Sequence, residues 1–298
     1  MVRQYKIHTN LDGTDDKVWD VTNGKVRLYQ PSNLGLQSTN NIWQSNGIGV
    51  MGTRSIKQPQ IEFKLETFGE SLEENYRLMK DFVNDILSKK FVTLEYQTEI
   101  FQVYADLALA DVTKTEGYGK NGTFSEKITF DIITKWYTYE NLTFEKIQNG
   151  KVISGKSKIY GGTAPGDYKY IKGISYTYYG ETNIERLSRW DIKDEIFSFM
   201  GILYPQLPKT PAGVRFLDDN GNEYTAIVFK TEELQDYILI NTDVNDEVYQ
   251  GWNGTTSLNL FPVMDFERYR TRIIEHGQME LINLTKAEFK IKRKADFV

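Results

Sequence analysis

Six Asn-Gly pairs, beginning at Asn23, Asn46, Asn121, Asn149, Asn220 and Asn253, punctuate this chain and constrain its fold more than any other feature. Asn and Gly both tolerate the positive φ of a two-residue hairpin turn, so the pairs predict tight turns between antiparallel strands. Between the turns lie alternating runs. Ile61, Phe63 and Leu65 fall on one side and Glu62, Lys64 and Glu66 on the other, the period-two pattern of a half-buried strand. Residues 91–96, 100–109, 124–133, 168–179 and 224–229 read the same way. The expected fold is mainly β, a sandwich or barrel-like architecture.

One segment departs from this period. Leu72, Tyr76, Met79, Val83 and Ile86 recur at spacings of four and three, which predicts a helix over residues 71–90 with its apolar stripe packed on the core. Ser71 followed by Glu74 forms a capping box, in which each side chain is expected to satisfy the other's free backbone amide. A second helix is expected over residues 183–199. At 298 residues the chain has room for two domains. The division is placed after the aromatic pair Trp136-Tyr137, giving residues 1–137 and 138–298. The Gly- and Pro-rich residues 155–167 read as an exposed loop, part of an extension at about 150–199 inserted in the second half.

Composition removes several kinds of chemistry. Cys is absent, and His8 and His276 are the only histidines, so thiolate metal sites, cysteine nucleophiles and histidine-built triads have almost no residues to use. No Gly-x-Ser-x-Gly elbow occurs, and each His reads as a surface or internally satisfied residue. A net charge of −5, without a strongly basic half, argues against electrostatic nucleic-acid binding. Arg3 and Lys6 stand where a secretory leader needs an apolar run, and no apolar window is long enough to cross a bilayer, so synthesis in a cytosol without membrane insertion is expected.

Short motifs match by letter and fail in context. Residues 150–157 satisfy the P-loop pattern, but Gly161, Gly162 and Pro165 follow where a helix must face the phosphates. Gly47, Gly49 and Gly52 match the dinucleotide fingerprint, yet a strand, not a helix, is expected next, so a glycine-permitted bend is the better reading. The acidic groups Asp12, Asp15, Asp16; Asp218, Asp219, Glu223; and Asp243, Asp246, Glu247 lack calcium-loop spacing and read as solvated turns. A carboxylate-pair glycosidase needs no local motif and stays open on sequence grounds. No catalytic residue, cofactor or metal is expected. The aromatic group Tyr168, Tyr170, Tyr176, Tyr178, Tyr179 and Trp190 suits sheet packing, a protein interface or sugar stacking, with interface the sharpest assignment. The alternating end of the chain, with Phe289, Ile291 and the lysines around them, reads as a basic-edged strand able to pair with a neighbour.

Taken in order, the bend at Gly47-Ile48-Gly49, the strand from Ile61, the helix from Ser71, Phe91-Val-Thr-Leu94-Glu-Tyr96, the strand before Val112-Thr-Lys114, Phe124-Ser-Glu-Lys-Ile-Thr-Phe130 and the closing Trp136-Tyr137 resemble the distal tail proteins of siphophages infecting Gram-positive bacteria. The second half resembles the lactococcal baseplate type. This resemblance implies a non-enzymatic virion protein at the tail tip. It implies a hexameric ring built by the N-terminal domain, between the major tail (tube) protein and the tail-tip proteins, through which DNA passes without specific binding. It also implies a galectin-like C-terminal sandwich whose arm grips receptor-binding protein trimers. Of the galectin sugar motif only His8 and Asn10 match by letter, with Leu11 and Asp12 in place of Pro and Arg, so lectin activity does not follow. A tail-tube or tube-terminator protein, and a cell-wall glycan binder or hydrolase, are the alternatives.

Overall fold

The computed structural model describes residues 3–13, 15–35, 37–57, 60–114, 125–145, 147–148, 151–152 and 186–295. It is mostly β, with strands making up 57% of the structure and, among the described residues, one α-helix and no closed barrel. The chain forms two compact units: residues 1–138 together with the chain end from Ala295, and residues 139–294. It therefore passes from one unit to the other twice, after Thr138 and after Lys294.

The first unit contains β1 (Gln4–His8), β2 (Val18–Asp20), β3 (Val26–Ser32), β4 (Gln37–Ser45), β5 (Ile48–Lys57), β6 (Ile61–Thr67), α1 (Leu72–Leu87), β7 (Val92–Gln97), β8 (Gln102–Thr113) and β9 (Ser125–Ile132). Its main sheet is antiparallel in the order β2-β1-β7-β8-β9-β6-β3. The alternation of β6 does what it predicts: Ile61, Phe63 and Leu65 are buried among Leu94, Ala105, Leu107 and Phe130. Phe82 of α1 packs edge-on to Trp19, ring centroids 5.2 Å apart. Trp136 is buried in this core. Tyr137 is fully buried, its hydroxyl donating to Asp106 at 2.7 Å, and Asp106 also accepts from Thr93 at 2.7 Å. A buried carboxylate is tolerable because donors surround it.

Helix α1 departs from expectation in phase. Ser71 Oγ accepts from the Glu74 amide at 3.1 Å, as a cap should, but the Glu74 carboxylate accepts from the Glu70 amide at 2.7 Å. The reciprocal half of the box has thus moved one residue outward, and it also holds Lys25 at 2.6 Å. The buried face is Asn75, Phe82 and Ile86, with Leu78, Met79 and Val83 half-buried; Leu72 and Tyr76 are exposed. The reason is Asn75, whose side chain caps the chain entering the helix by accepting from the Gly69 amide at 2.6 Å and so turns that side inward.

The second unit holds β10 (Tyr137–Glu145, which starts in the last residues of the first unit), β11 (Ile147–Gln148), β12 (Lys151–Val152), β13 (Arg186–Ile192), β14 (Ile196–Pro205), β15 (Ala212–Leu217), β16 (Glu223–Phe229), β17 (Tyr237–Asn241), β18 (Val248–Asn253), β19 (Thr256–Asn259), β20 (Gly277–Ile282) and β21 (Leu284–Lys294). Two antiparallel sheets, β19-β18-β17-β14-β21-β10 and β13-β20-β15-β16, enclose one core, making a sandwich. Phe199 of β14 meets Phe289 of its own sheet at 5.8 Å and Phe216 of the facing sheet at 5.9 Å. The helix expected over 183–199 is instead β13 and β14. The inward set Ile196, Ser198, Phe199 and Leu203 is buried against β21 and β17, and that long-range pairing outweighs a weak helical spacing. Residues 186–199 accordingly belong to the sandwich and not to an extension. Three Asn-Gly turns bear positive φ at Asn46 and Gly47, at Gly221 and at Gly254, each closing a hairpin. The pairs at Asn121 and Asn149 lie outside the described residues.

Candidate assembly surfaces

The least covered element is the ribbon β4–β5. Ser45 and Ile48 are register partners, so Asn46 (φ 51°) and Gly47 (φ 77°) form a two-residue loop with both positions left-handed, the turn that matches the twist of the strands. Its strands pair with each other alone and not with the main sheet. Cross-strand pairing places Trp43, Val50 and Ile48 on one face, and Ile42 with Met51 on the other; all five are between 50% and 70% exposed. Arg54 lies on the second face, donating to Asn40 at 3.0 Å and reaching the Met51 sulfur. A two-stranded ribbon is marginally stable alone in water, and one that is apolar on both faces has strong reason to be covered. The dinucleotide-like glycines are the turn and second strand of this ribbon, with no helix after them to receive a pyrophosphate.

The titratable clusters, in contrast, are occupied internally. His8 is buried between two carboxylates, Nδ1 at 2.6 Å from Asp16 and Nε2 at 2.8 Å from Glu95. Burial pushes the Glu95 carboxyl up, but hydrogen bonds from Lys6 and His8, the Lys6 charge and a bond from Gln102 outweigh it, and the net shift is downward. Asp16 also accepts from the Asn10 amide, and Asp15 pairs with Lys89, so the 9–17 turn is tied to β7 and to the end of α1. In the second unit Arg268 grips Glu223 with two bonds of 2.7 and 2.6 Å, holding that carboxyl below its usual range, while Arg215 binds the fully buried Glu280 at 2.8 and 2.6 Å. The backbone of residues 263–271 lies along the outer edge of β16, through bonds such as Ala226 to Arg268 and Asp265 to Val228. That edge is thereby closed to pairing with another chain.

The three acidic groups seen in the sequence serve turns and ion pairs. Asp218 accepts from the Asn220 and Asn222 amides, and Asp243 holds the buried Lys292 at 2.8 Å. Among the described residues no three His, Asp or Glu side chains converge as a metal site. Of the P-loop match, Lys151 and Val152 form β12 and the rest lies outside the described residues.

The expected interface residues separate. Tyr168, Tyr170, Tyr176, Tyr178 and Tyr179 lie outside the described residues. Trp190 on β13 is half-buried against the sandwich core, with the Arg293 guanidinium 5.2 Å from its ring. Phe289 and Ile291 are 3% and 1% exposed. Strand β21 is no edge, since β14 and β10 flank it, so its alternation marks a core strand whose apolar side chains face inward. Sequence reasoning missed the exposed ribbon as a candidate contact surface. Two signals pointed to it: the Asn46-Gly47 turn, and a segment from residue 33 to 61 with no Asp or Glu.

Among the described residues, then, two β units carry an exposed apolar ribbon, while the charged clusters of each unit are engaged within its own fold. Residues 4–133 match the family described as distal tail protein, N-terminal domain, and residues 135–298 match the Dit C-terminal domain. The chain belongs to the distal tail protein family, structural components of the phage tail tip and baseplate. It is 93% identical to the distal tail protein of Lactococcus phage p2 and 94% identical to that of Lactococcus phage SK1, in each case over the whole of both chains. Among solved structures it superposes, with a TM-score of 0.80 and 93% identity over the whole of both chains, on a chain of the phage P2 baseplate in its activated conformation with Ca. The corresponding baseplate with Sr gives the same values.

Proposed function

We propose that this protein is the baseplate hub: six copies close into a ring through residues 1–137, joining the tail tube to the adsorption apparatus, while residues 138–298 anchor receptor-binding protein trimers. The observation that carries the ring is the β4–β5 ribbon, whose exposed Ile42, Trp43, Ile48, Val50 and Met51 suit burial by a neighbouring copy. A protein 93% identical stands in the phage P2 baseplate. The anchoring role rests on the resemblance and on the tyrosines from Tyr168 to Tyr179, with Trp190 beside them in sequence. A net charge of −5 suits a channel that DNA traverses without adhering. The hub acts by contact and carries out no reaction.

Light scattering and negative-stain microscopy of the purified chain test the ring. The expected result is a closed sixfold particle, lost when residues 38–56 are replaced by Asn-Gly, a swap that closes the register pair Gln37 and Lys57 while the main sheet stays folded. A wild-type chain that stays monomeric at micromolar concentration overturns the ring, and stacked filaments instead of single rings point to a tube protein. Replacing residues 153–185 with a short Gly-Ser linker should abolish capture of receptor-binding protein while the ring persists; unchanged capture overturns the anchoring role.

A further inference from the structure

The apolar stripe of α1 is wider than the surface that covers it. Asn75, Phe82 and Ile86 face the core, while Leu72 and Tyr76, one turn apart on the flank, are 53% and 62% exposed. Glu70 and Glu73 are exposed at the start of the helix, whereas Phe68 is engaged by the Arg27 guanidinium, 4.5 Å from its ring. Elsewhere in the first unit, outside the ribbon, exposed large apolar residues such as Val18, Ile100 and Ile133 stand singly, which is ordinary for a surface. The ribbon is the complement of this flank. Between residues 33 and 61 the chain carries Arg54 and Lys57 and no carboxylate, and Arg54 shares a ribbon face with Ile42 and Met51.

We infer that the Ile42–Met51–Arg54 face of one copy's ribbon seats on the Leu72–Tyr76 flank of α1 in the next copy, with Arg54 opposite Glu70 and Glu73. The inference rests on the ring proposed above and names its contact. Apolar burial supplies the attraction, and the charges set orientation and reject the wrong face. Each copy gives a ribbon and receives one, a head-to-tail contact of the kind that closes into rings.

Charge reversal tests it. Arg54→Glu, and separately the pair Glu70→Lys and Glu73→Lys, should each weaken assembly by about tenfold or more in the concentration midpoint. Mixing the two variants should restore rings, because each ribbon then finds a helix of opposite charge, and an even-numbered ring permits strict alternation. Circular dichroism checks that both variants are folded. A second measurement exploits the absence of cysteine: Met51→Cys mixed with Tyr76→Cys should form an intermolecular disulfide between the two variants under mild oxidation. If the wild type forms rings, the ribbon deletion abolishes them, and yet the helix reversal has no effect and no such crosslink forms, this contact is overturned while the ring stands. A wild type that never assembles overturns both.

Discussion

At the residue scale, the chain spends its few titratable specialists on its own architecture. His8 has a carboxylate at each ring nitrogen, and Glu95 is served in turn by Lys6, His8 and Gln102. Since the Glu95 carboxyl is held below its ordinary value when folded, its contribution is complete above the unfolded carboxylate range. That contribution is lost as pH falls through the lowered folded value. Glu95→Gln should therefore destabilise the first unit by about 1–3 kcal/mol at pH 7, and the gap from wild type should narrow below about pH 4. Urea melts at the two pH values check both statements, and a gap independent of pH would refute the linkage. Phe289 makes the matching case in the sandwich. Enclosed by Phe144 and Phe199, it should cost about 3–5 kcal/mol on truncation to Ala. Ring formation by the first unit should be unaffected below the melting point, which light scattering can follow.

At the element scale, the ribbon and the helix show what a local reading captures. Gly47 in the ribbon turn has φ 77° with open space around it, so Gly47→Ala incurs backbone strain and no clash, about 1 kcal/mol. Because β4 and β5 pair with no strand of the main sheet among the described residues, that strain should appear as loss of assembly rather than as a lower melting temperature. Sedimentation and thermal melts on one sample separate the two. Strand β6 and the cap at Ser71 were legible because they depend on neighbours within a few residues. Less legible was the rotation of α1, which follows from the Asn75 contact with Gly69 at the end of the preceding strand. The strands β13 and β14 were read as helix for a related reason: their partners β20, β17 and β21 lie far away in sequence. Likewise the alternation of β21 was legible, but whether an alternating strand lies at an edge or between two others is a property of the sheet. Pairing by β14 and β10 made it interior and turned Phe289 and Ile291 from expected contacts into core.

At the scale of the whole molecule, each unit has its own hydrophobic core, one centred on Leu94 and Phe63 and the other on Phe199 and Phe289. Two cores predict two unfolding events. Calorimetry of wild type and the Phe289→Ala variant should show one transition moving and one staying, whereas a single transition that shifts as a block would mean the units melt together. The first unit's own residues also include the end of the chain: the Ala295 amide donates to the Trp136 carbonyl at 2.8 Å. The backbone thus makes a return journey, out after Thr138 and back after Lys294. The two passages differ in kind: after Thr138 the backbone itself joins the units, whereas beyond Lys294 only residues 295–298 return, and the first unit holds Ala295 through non-covalent bonds such as the one to Trp136. That return is a clasp and not a second tether: it can open and refasten without any backbone bond being broken.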